Sequence, residues 1–175
     1  MGPSRLISFY LGKGKDSEGQ TIDEIQAWNH DRLENVHNYI QWLFPLKERS
    51  NVNPDAPVLN DEQIAAFRNN QELQARLLKS FELMLTFYGL RCEDEDAGAP
   101  IKISKAEDFP LVSRNWMSAG NHNYLRITRI LTSLTLLGLE TYAQAFFDFL
   151  ESLYNEQGGC IGRTSFLYWK SAVKR

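Results

Sequence analysis

What this sequence has little of narrows it first. It holds two cysteines in 175 residues, Cys92 and Cys160, far apart and in no paired metal-binding spacing. Such thiols point to reduced side chains, not to a disulfide framework. No apolar run reaches the length that crosses a bilayer. The stretch Leu6–Leu11 is short and interrupted, and no small-residue cleavage site follows it. Export through a signal peptide is therefore not expected, and a cytoplasmic location is. The net charge is only −3, with no concentrated basic block, which excludes a general attraction to nucleic acid or to acidic membranes. Near the C-terminus Arg163, Lys170, Lys174 and Arg175 are scattered, as on a solvated helix end. Gly12-Lys13-Gly14-Lys15 lacks the spacing of a phosphate-binding loop. There is no Gly-x-Ser-x-Gly elbow, neither cysteine has a histidine near it in sequence, and Ser118 and Ser133 are merely available hydroxyls. Internal repeats and low-complexity tracts are missing too. Strand-type alternation is confined to Ile101-Lys102-Ile103, too short to imply a sheet.

What is present is apolar mass and helical periodicity. Apolar residues make up 43% of the chain and aromatics 12%, enough for a sizeable core. Residues 1–20 read as a flexible N-terminal segment, with Gly12, Gly14 and Gly19 among charged residues. Residues 21–175 read as a single helical domain. Thr21 and Glu24 have capping-box spacing, and so do Asn60 and Gln63. Asn29 can cap a helix predicted over His30–Phe44, which Pro45 stops. On it Leu33, Val36, Ile40, Leu43 and Phe44 share one face. The two prolines of Asn53-Pro54-Asp55-Ala56-Pro57 make an extended loop. From Asn60 to Tyr88 the pattern allows one long helix or two broken near Asn69-Asn70, ended by Gly89. Phe81, Leu83, Met84, Leu85, Phe87 and Tyr88 mark its end as the central buried element. The acidic run Glu93–Asp96 reads as a solvated loop, since its contiguous carboxylates lack the spacing of a calcium loop. Further helices are predicted after Pro110, over Asn121–Leu137, from Tyr142 to the pair Gly158-Gly159, and over Thr164–Val173. The expected fold class is all-α, a compact orthogonal bundle of about six to eight helices.

All three histidines fall in two polar-aromatic segments, Trp28–Leu46 and Asn121–Leu131. Three strings carry a resemblance. They are His37-Asn38-Tyr39-Ile40-Gln41-Trp42-Leu43-Phe44-Pro45-Leu46, Asn53-Pro54-Asp55-Ala56-Pro57-Val58-Leu59 and His122-Asn123-Tyr124-Leu125-Arg126-Ile127-Thr128-Arg129-Ile130-Leu131. In this order they resemble the conserved domain of the opioid growth factor receptor family, over roughly Ile22–Leu150. The resemblance implies a helical, non-catalytic domain that binds a small peptide or other small ligand. In animals the named members bind an enkephalin peptide and restrain cell proliferation. It supplies no catalytic residues.

The residues themselves leave alternatives open. On one ideal helix His30, Glu34, His37 and Gln41 form a stripe beside the apolar face. His122, Arg126, Arg129 and Ser133 form another, and Asn123 points to the core, where its amide needs partners. In the first reading both stripes line one cleft, bringing His37 and Arg126 together. The ligand-binding candidates are then His30, Glu34, His37, Tyr39, Gln41, Trp42, Trp116, His122, Asn123, Arg126 and Arg129. The arginines would suit a carboxylate or phosphate, and Tyr39, Trp42 or Trp116 would supply aromatic walls. In the second, the same groups tie helices together through buried hydrogen bonds. An enzymatic alternative, a microbial pathway enzyme acting on a small molecule, uses His30, His37, His122 and Arg126. A third is a regulatory module with a protein partner. Glu34 and His37 have Glu-x-x-His spacing, but a carboxylate-bridged metal pair needs a second copy, and Ala119 precedes His122 by three. A single metal held by His30, Glu34, His37 and His122 is the weaker reading. No metal and no cofactor are expected.

Overall fold

The computed structural model describes residues 4–93 and 100–174. Among the described residues the chain is mostly helical, with ten α-helices, one 3-10 turn and a two-stranded sheet. It divides into two compact units, Met1–Phe81 and Glu82–Arg175.

In the first unit, side-chain caps set where helices begin. Ser4 accepts from the Ile7 amide at the start of α1 (Arg5–Tyr10). Thr21 and Glu24 close a reciprocal capping box on α2 (Ile22–Gln26), and Asn29 caps α3 (His30–Asn35). α4 spans Ile40–Leu43. Asn60 and Gln63 close a second box on α5 (Asp61–Asn69), and Asn70 accepts from the Leu73 amide to open α6 (Gln71–Phe87). Each cap satisfies amides that a helix start otherwise leaves without partners. The break at Asn69-Asn70 thus gives two helices. The core of this unit is aromatic. Phe9 and Trp42 stand 5.2 Å apart and Tyr10 and Phe67 5.0 Å apart, ring centroid to centroid. Leu6, Phe9 and Tyr10 are buried, so a packed helix stands where the sequence reads as a flexible segment. Ser4's cap and this aromatic packing are the reason.

The predicted helix His30–Phe44 is corrected. It ends at Asn35, because Val36 takes an extended conformation with φ −93° and ψ 131°. The chain then doubles back. The Tyr39 hydroxyl donates to the Leu33 carbonyl at 2.6 Å, and the Asn53 amide donates to the Asn38 carbonyl at 2.9 Å. A β-branched residue between Asn35 and Asn38, whose side chains favour turns, is a weak place for a helix interior. The apolar spacing was real, but two short helices share it.

In the second unit Gly89, at φ +78°, ends α6 and turns the chain into β1 (Leu90–Glu93), as its position after an apolar helix end suggests. β2 (Lys102–Lys105) pairs with β1 antiparallel, with Leu90 opposite Lys105 and Cys92 opposite Ile103. Lys102 and Ile103 therefore belong to a strand and Ile101 leads into it, against the expectation of none. The three-residue alternation finds a partner across the acidic segment, which a single-segment reading misses. Of that acidic run, residues 94–96 lie outside the described residues.

A short helix α7 (Phe109–Val112) continues into a 3-10 turn at Ser113–Asn115. Three long helices follow: α8 (Asn123–Leu136), α9 (Glu140–Ile161) and α10 (Arg163–Ala172). They pack on one another, and β2 lies on α9. The Trp169 indole donates to the Tyr124 carbonyl at 3.0 Å, tying α10 to α8. Tyr154 and Phe166 stack at 4.3 Å, tying α10 to α9. Within α9 Gln157 leaves helical geometry (φ −140°, ψ 40°). The helix from Glu140 thus breaks just before Gly158-Gly159, as expected, and a further helical turn carries on to Ile161. Neither Cys92 nor Cys160 is in a disulfide among the described residues, and both are half-buried.

Candidate functional site

The first family segment folds as α3, a turn and α4. The break at Val36 removes the single stripe of His30, Glu34, His37 and Gln41. His30 and Glu34 stay on α3 and are half-buried, whereas His37 lies in the turn, exposed. Tyr39 is fully buried, with Trp28 edge-on at 5.4 Å. Gln41 and Trp42 are buried in α4, and Trp42 packs on Phe9 with the Arg5 guanidinium 5.4 Å from its ring. At the surface of α3 lies a shallow concavity of about 540 Å³, bordered by Trp28, Asp31, Arg32 and Asn35. Arg32 stacks over the Trp28 ring at 4.5 Å, a cation–π contact of a kind that contributes roughly 0.5–1 kcal/mol at the surface.

The second family segment is the first half of α8, preceded by His122. His122 is exposed, Arg129 half-buried, and Arg126 only 6% exposed. Asn123 is fully buried, and its side-chain oxygen accepts from the Tyr88 hydroxyl at 3.4 Å. Its amide thus has the partner its inward position demands. Trp116 is also interior, its indole donating to the Tyr88 carbonyl at 3.0 Å. Tyr88, Trp116 and Asn123 therefore form one buried polar-aromatic knot at the end of α6. None of the polar residues His30, Glu34, His37, Gln41, His122, Asn123, Arg126 and Arg129 stands without an interaction partner. Six of the eleven ligand-binding candidates, Tyr39, Gln41, Trp42, Trp116, Asn123 and Arg126, lie in the interior. Among the described residues, no group of three or more His, Cys, Asp or Glu side chains is placed to hold a metal ion.

A second concavity, of about 430 Å³, lies in the second unit between β2 and α9. Ile101, Ile103, Ala145 and Phe149 give it an apolar lining, and Lys102, Lys105, Asp148 and Ser152 add polar groups. Sequence reasoning did not find this groove. Its one signal, the alternation at Ile101-Lys102-Ile103, was too short to place opposite a helix. A further recess of about 400 Å³ beyond Lys105 is bordered by Phe109, Pro110 and Gln157 at the kink of α9. Lys105 is held there, 5.1 Å from the Phe109 ring and 3.7 Å from Glu156. Elsewhere in this unit, burial first and then the neighbouring Cys160 raise the pKa of the Tyr124 hydroxyl, which donates to the Cys160 carbonyl at 3.4 Å.

Comparison with known proteins adds a family. The model of the "Opioid growth factor receptor (OGFr) conserved region" matches residues 4–175. The chain is 40% identical to the opioid growth factor receptor of Homo sapiens over 181 aligned residues, covering 99% of this chain and 26% of that protein. It is 40% identical to the Mus musculus receptor, covering 87% of this chain and 24% of that protein. With opioid growth factor receptor-like protein 1 of Rattus norvegicus it shares 35% identity, over 76% of this chain and 28% of that protein. The chain thus spans about a quarter of the length of these relatives. No solved structure matches.

Proposed function

The chain belongs to the opioid growth factor receptor family through its conserved region, and from that premise we propose that it is a non-catalytic, receptor-type domain that binds a small peptide of the opioid growth factor class. The observation that carries this reading is the family match over residues 4–175, which takes in both described units. A fold shared with a family carries function only through its sites, so the surfaces matter. Tyr39, Gln41, Trp42, Trp116, Asn123 and Arg126 serve the scaffold. The surfaces open to a ligand are then His30, Glu34, His37, His122 and Arg129, together with the concavities at Trp28–Arg32 and at β2–α9.

The catalytic alternative built on His30, His37, His122 and Arg126 gains nothing from the geometry. Arg126 is interior, and the break at Val36 takes His37 off the stripe it was to share with His30. Thermal unfolding over a series of enkephalin concentrations tests the proposal. A ligand that binds only the folded chain stabilises it by about 2.7 kcal/mol at a hundred times its Kd, which for a chain of this size is an upward shift of roughly 5–10 °C. Mass spectrometry should recover the peptide intact. No shift at any soluble peptide concentration, or a cleaved peptide, would remove the proposal.

A further inference from the structure

We propose that the open edge of β2, with the groove it forms against α9, binds an extended peptide segment as a third strand, apolar side chains turned toward α9 and a carboxylate toward Lys102. This rests on the peptide-receptor reading above and names where and how the peptide is held.

The argument starts from the ladder. The Ala106 amide donates to the Gly89 carbonyl at 2.9 Å, which makes these opposed residues a hydrogen-bonded pair. Bonded and non-bonded pairs alternate along an antiparallel ladder. The bonded pairs are therefore Arg91 with Ser104 and Glu93 with Lys102. It follows that the backbone N–H and C=O groups of Ile103 and Lys105 point away from β1. Among the described residues, nothing hydrogen-bonds to them. An open strand edge is a template for one more strand, and extended peptides are recognised in this way by several unrelated domains.

The faces of the strand then specify the occupant. Ile101, Ile103 and Lys105 share one face by alternation, and this face meets the lining from Ala145 and Phe149. Every second side chain of an added strand would enter the same groove, so those should be apolar. The intervening side chains would lie beside Lys102 and Ser104. Lys105 is already held by Phe109 and Glu156, and Glu93 accepts from Arg91 and Ser104. Lys102 is exposed and, among the described residues, makes no ion pair. It is the cation left for a ligand's carboxylate. A second copy of this edge is a poor occupant, because two lysine-bearing strands would set like charges against each other. Lysines on an edge strand guard against such self-pairing, and a strand carrying a carboxylate is the kind that this guard admits.

The test uses the whole chain and two blocked probe peptides, acetyl-Glu-Val-Glu-Val-Glu-amide and acetyl-Lys-Val-Lys-Val-Lys-amide, alongside an enkephalin peptide. Residue-resolved amide exchange should slow at Ile103 and Lys105 by roughly tenfold or more with the glutamate probe and with enkephalin, and not with the lysine probe. Lys105→Pro removes an outward N–H without touching a ladder bond. It should weaken binding roughly five- to tenfold, with Lys105→Met staying within about twofold. Should the proline disturb β2, Lys102→Glu is the second variant, and it should reverse the preference between the two probes. Binding of any of the peptides with unchanged exchange at Ile103 and Lys105 overturns the proposal, as does an unreversed preference in Lys102→Glu. If enkephalin stabilises the chain without protecting these amides, the groove assignment falls and the receptor reading stands. If no peptide binds, both fall.

Discussion

Removing one oxygen atom from the core of the first unit should cost more than its size suggests. Tyr10 is fully buried, its hydroxyl donating to the Leu43 carbonyl at 2.6 Å and hydrogen-bonded to the Ser80 hydroxyl at 3.0 Å. Ser80 also accepts from the Gln26 side chain at 3.0 Å, so one short chain of bonds links α1, α2, α4 and α6. Tyr10→Phe keeps the ring and its edge-on contact with Phe67, so cavity and packing terms are small. What it leaves is a buried carbonyl without its donor, which costs about 1–3 kcal/mol. At a urea dependence of about 2 kcal/mol per molar, the midpoint should fall by about 0.5–1.5 M with an unchanged slope. A pH series adds an independent check. Burial raises the pKa of this hydroxyl well above the ordinary tyrosine value near 10. Its contribution is therefore complete below about pH 10, where the unfolded tyrosine is still protonated, and is lost as pH rises toward the folded-state value. Above about pH 10, wild type should lose up to roughly 1.4 kcal/mol per pH unit relative to Tyr10→Phe. A midpoint within about 0.2 M of wild type, with parallel pH profiles, would refute the reasoning that this bond chain supports the unit.

Two smaller changes probe local geometry. Gly89 and Gly19 both have φ near +79°, at +78° and +79°, but a Cβ on Gly89 would stand 3.1 Å from Phe109 and Val112 while one on Gly19 would meet open space. Alanine should cost about 1–2 kcal/mol at Gly19 from backbone strain alone, and clearly more at Gly89; equal losses in denaturant midpoint would show that the close approach to α7 is unimportant. Asn29→Ala removes the cap of α3 and should cost about 1 kcal/mol, and an unchanged midpoint would mean that this short helix is held by packing alone.

Helix beginnings were legible because they are written locally. Thr21 with Glu24, Asn60 with Gln63, and Asn29 each place a side-chain acceptor within reach of amides three residues away, and no distant contact is needed. Gly89 and Gly138, both at positive φ, were legible as stops for the same reason. What the sequence hid depends on partners far along the chain. The apolar spacing from Leu33 to Phe44 suits one helix, yet the bond from Tyr39 back to Leu33 and the reach of Asn53 to Asn38 favour a turn. α1 looked like part of a loose terminus because its burial depends on Trp42 and Phe67. β2 needs β1 across the acidic segment, so three alternating residues could not declare a sheet by themselves. Of the candidate site, the inward position of Asn123 was readable from helical phase. The aromatic walls were not, since Tyr39, Trp42 and Trp116 lie in the interior of their units. The β2–α9 groove joins residues more than forty positions apart, such as Ile103 and Phe149, which no local pattern connects.

The most direct test of the account is a calorimetric titration of an enkephalin peptide into the whole chain, repeated at several temperatures, with a scrambled peptide of the same composition as control. The expected result is saturable binding of one peptide per chain, a negative heat-capacity change from apolar burial, and no saturable heat from the scrambled peptide. Equal heats from the two peptides, or none from either, would contradict the claim that this conserved region is a peptide-binding receptor domain.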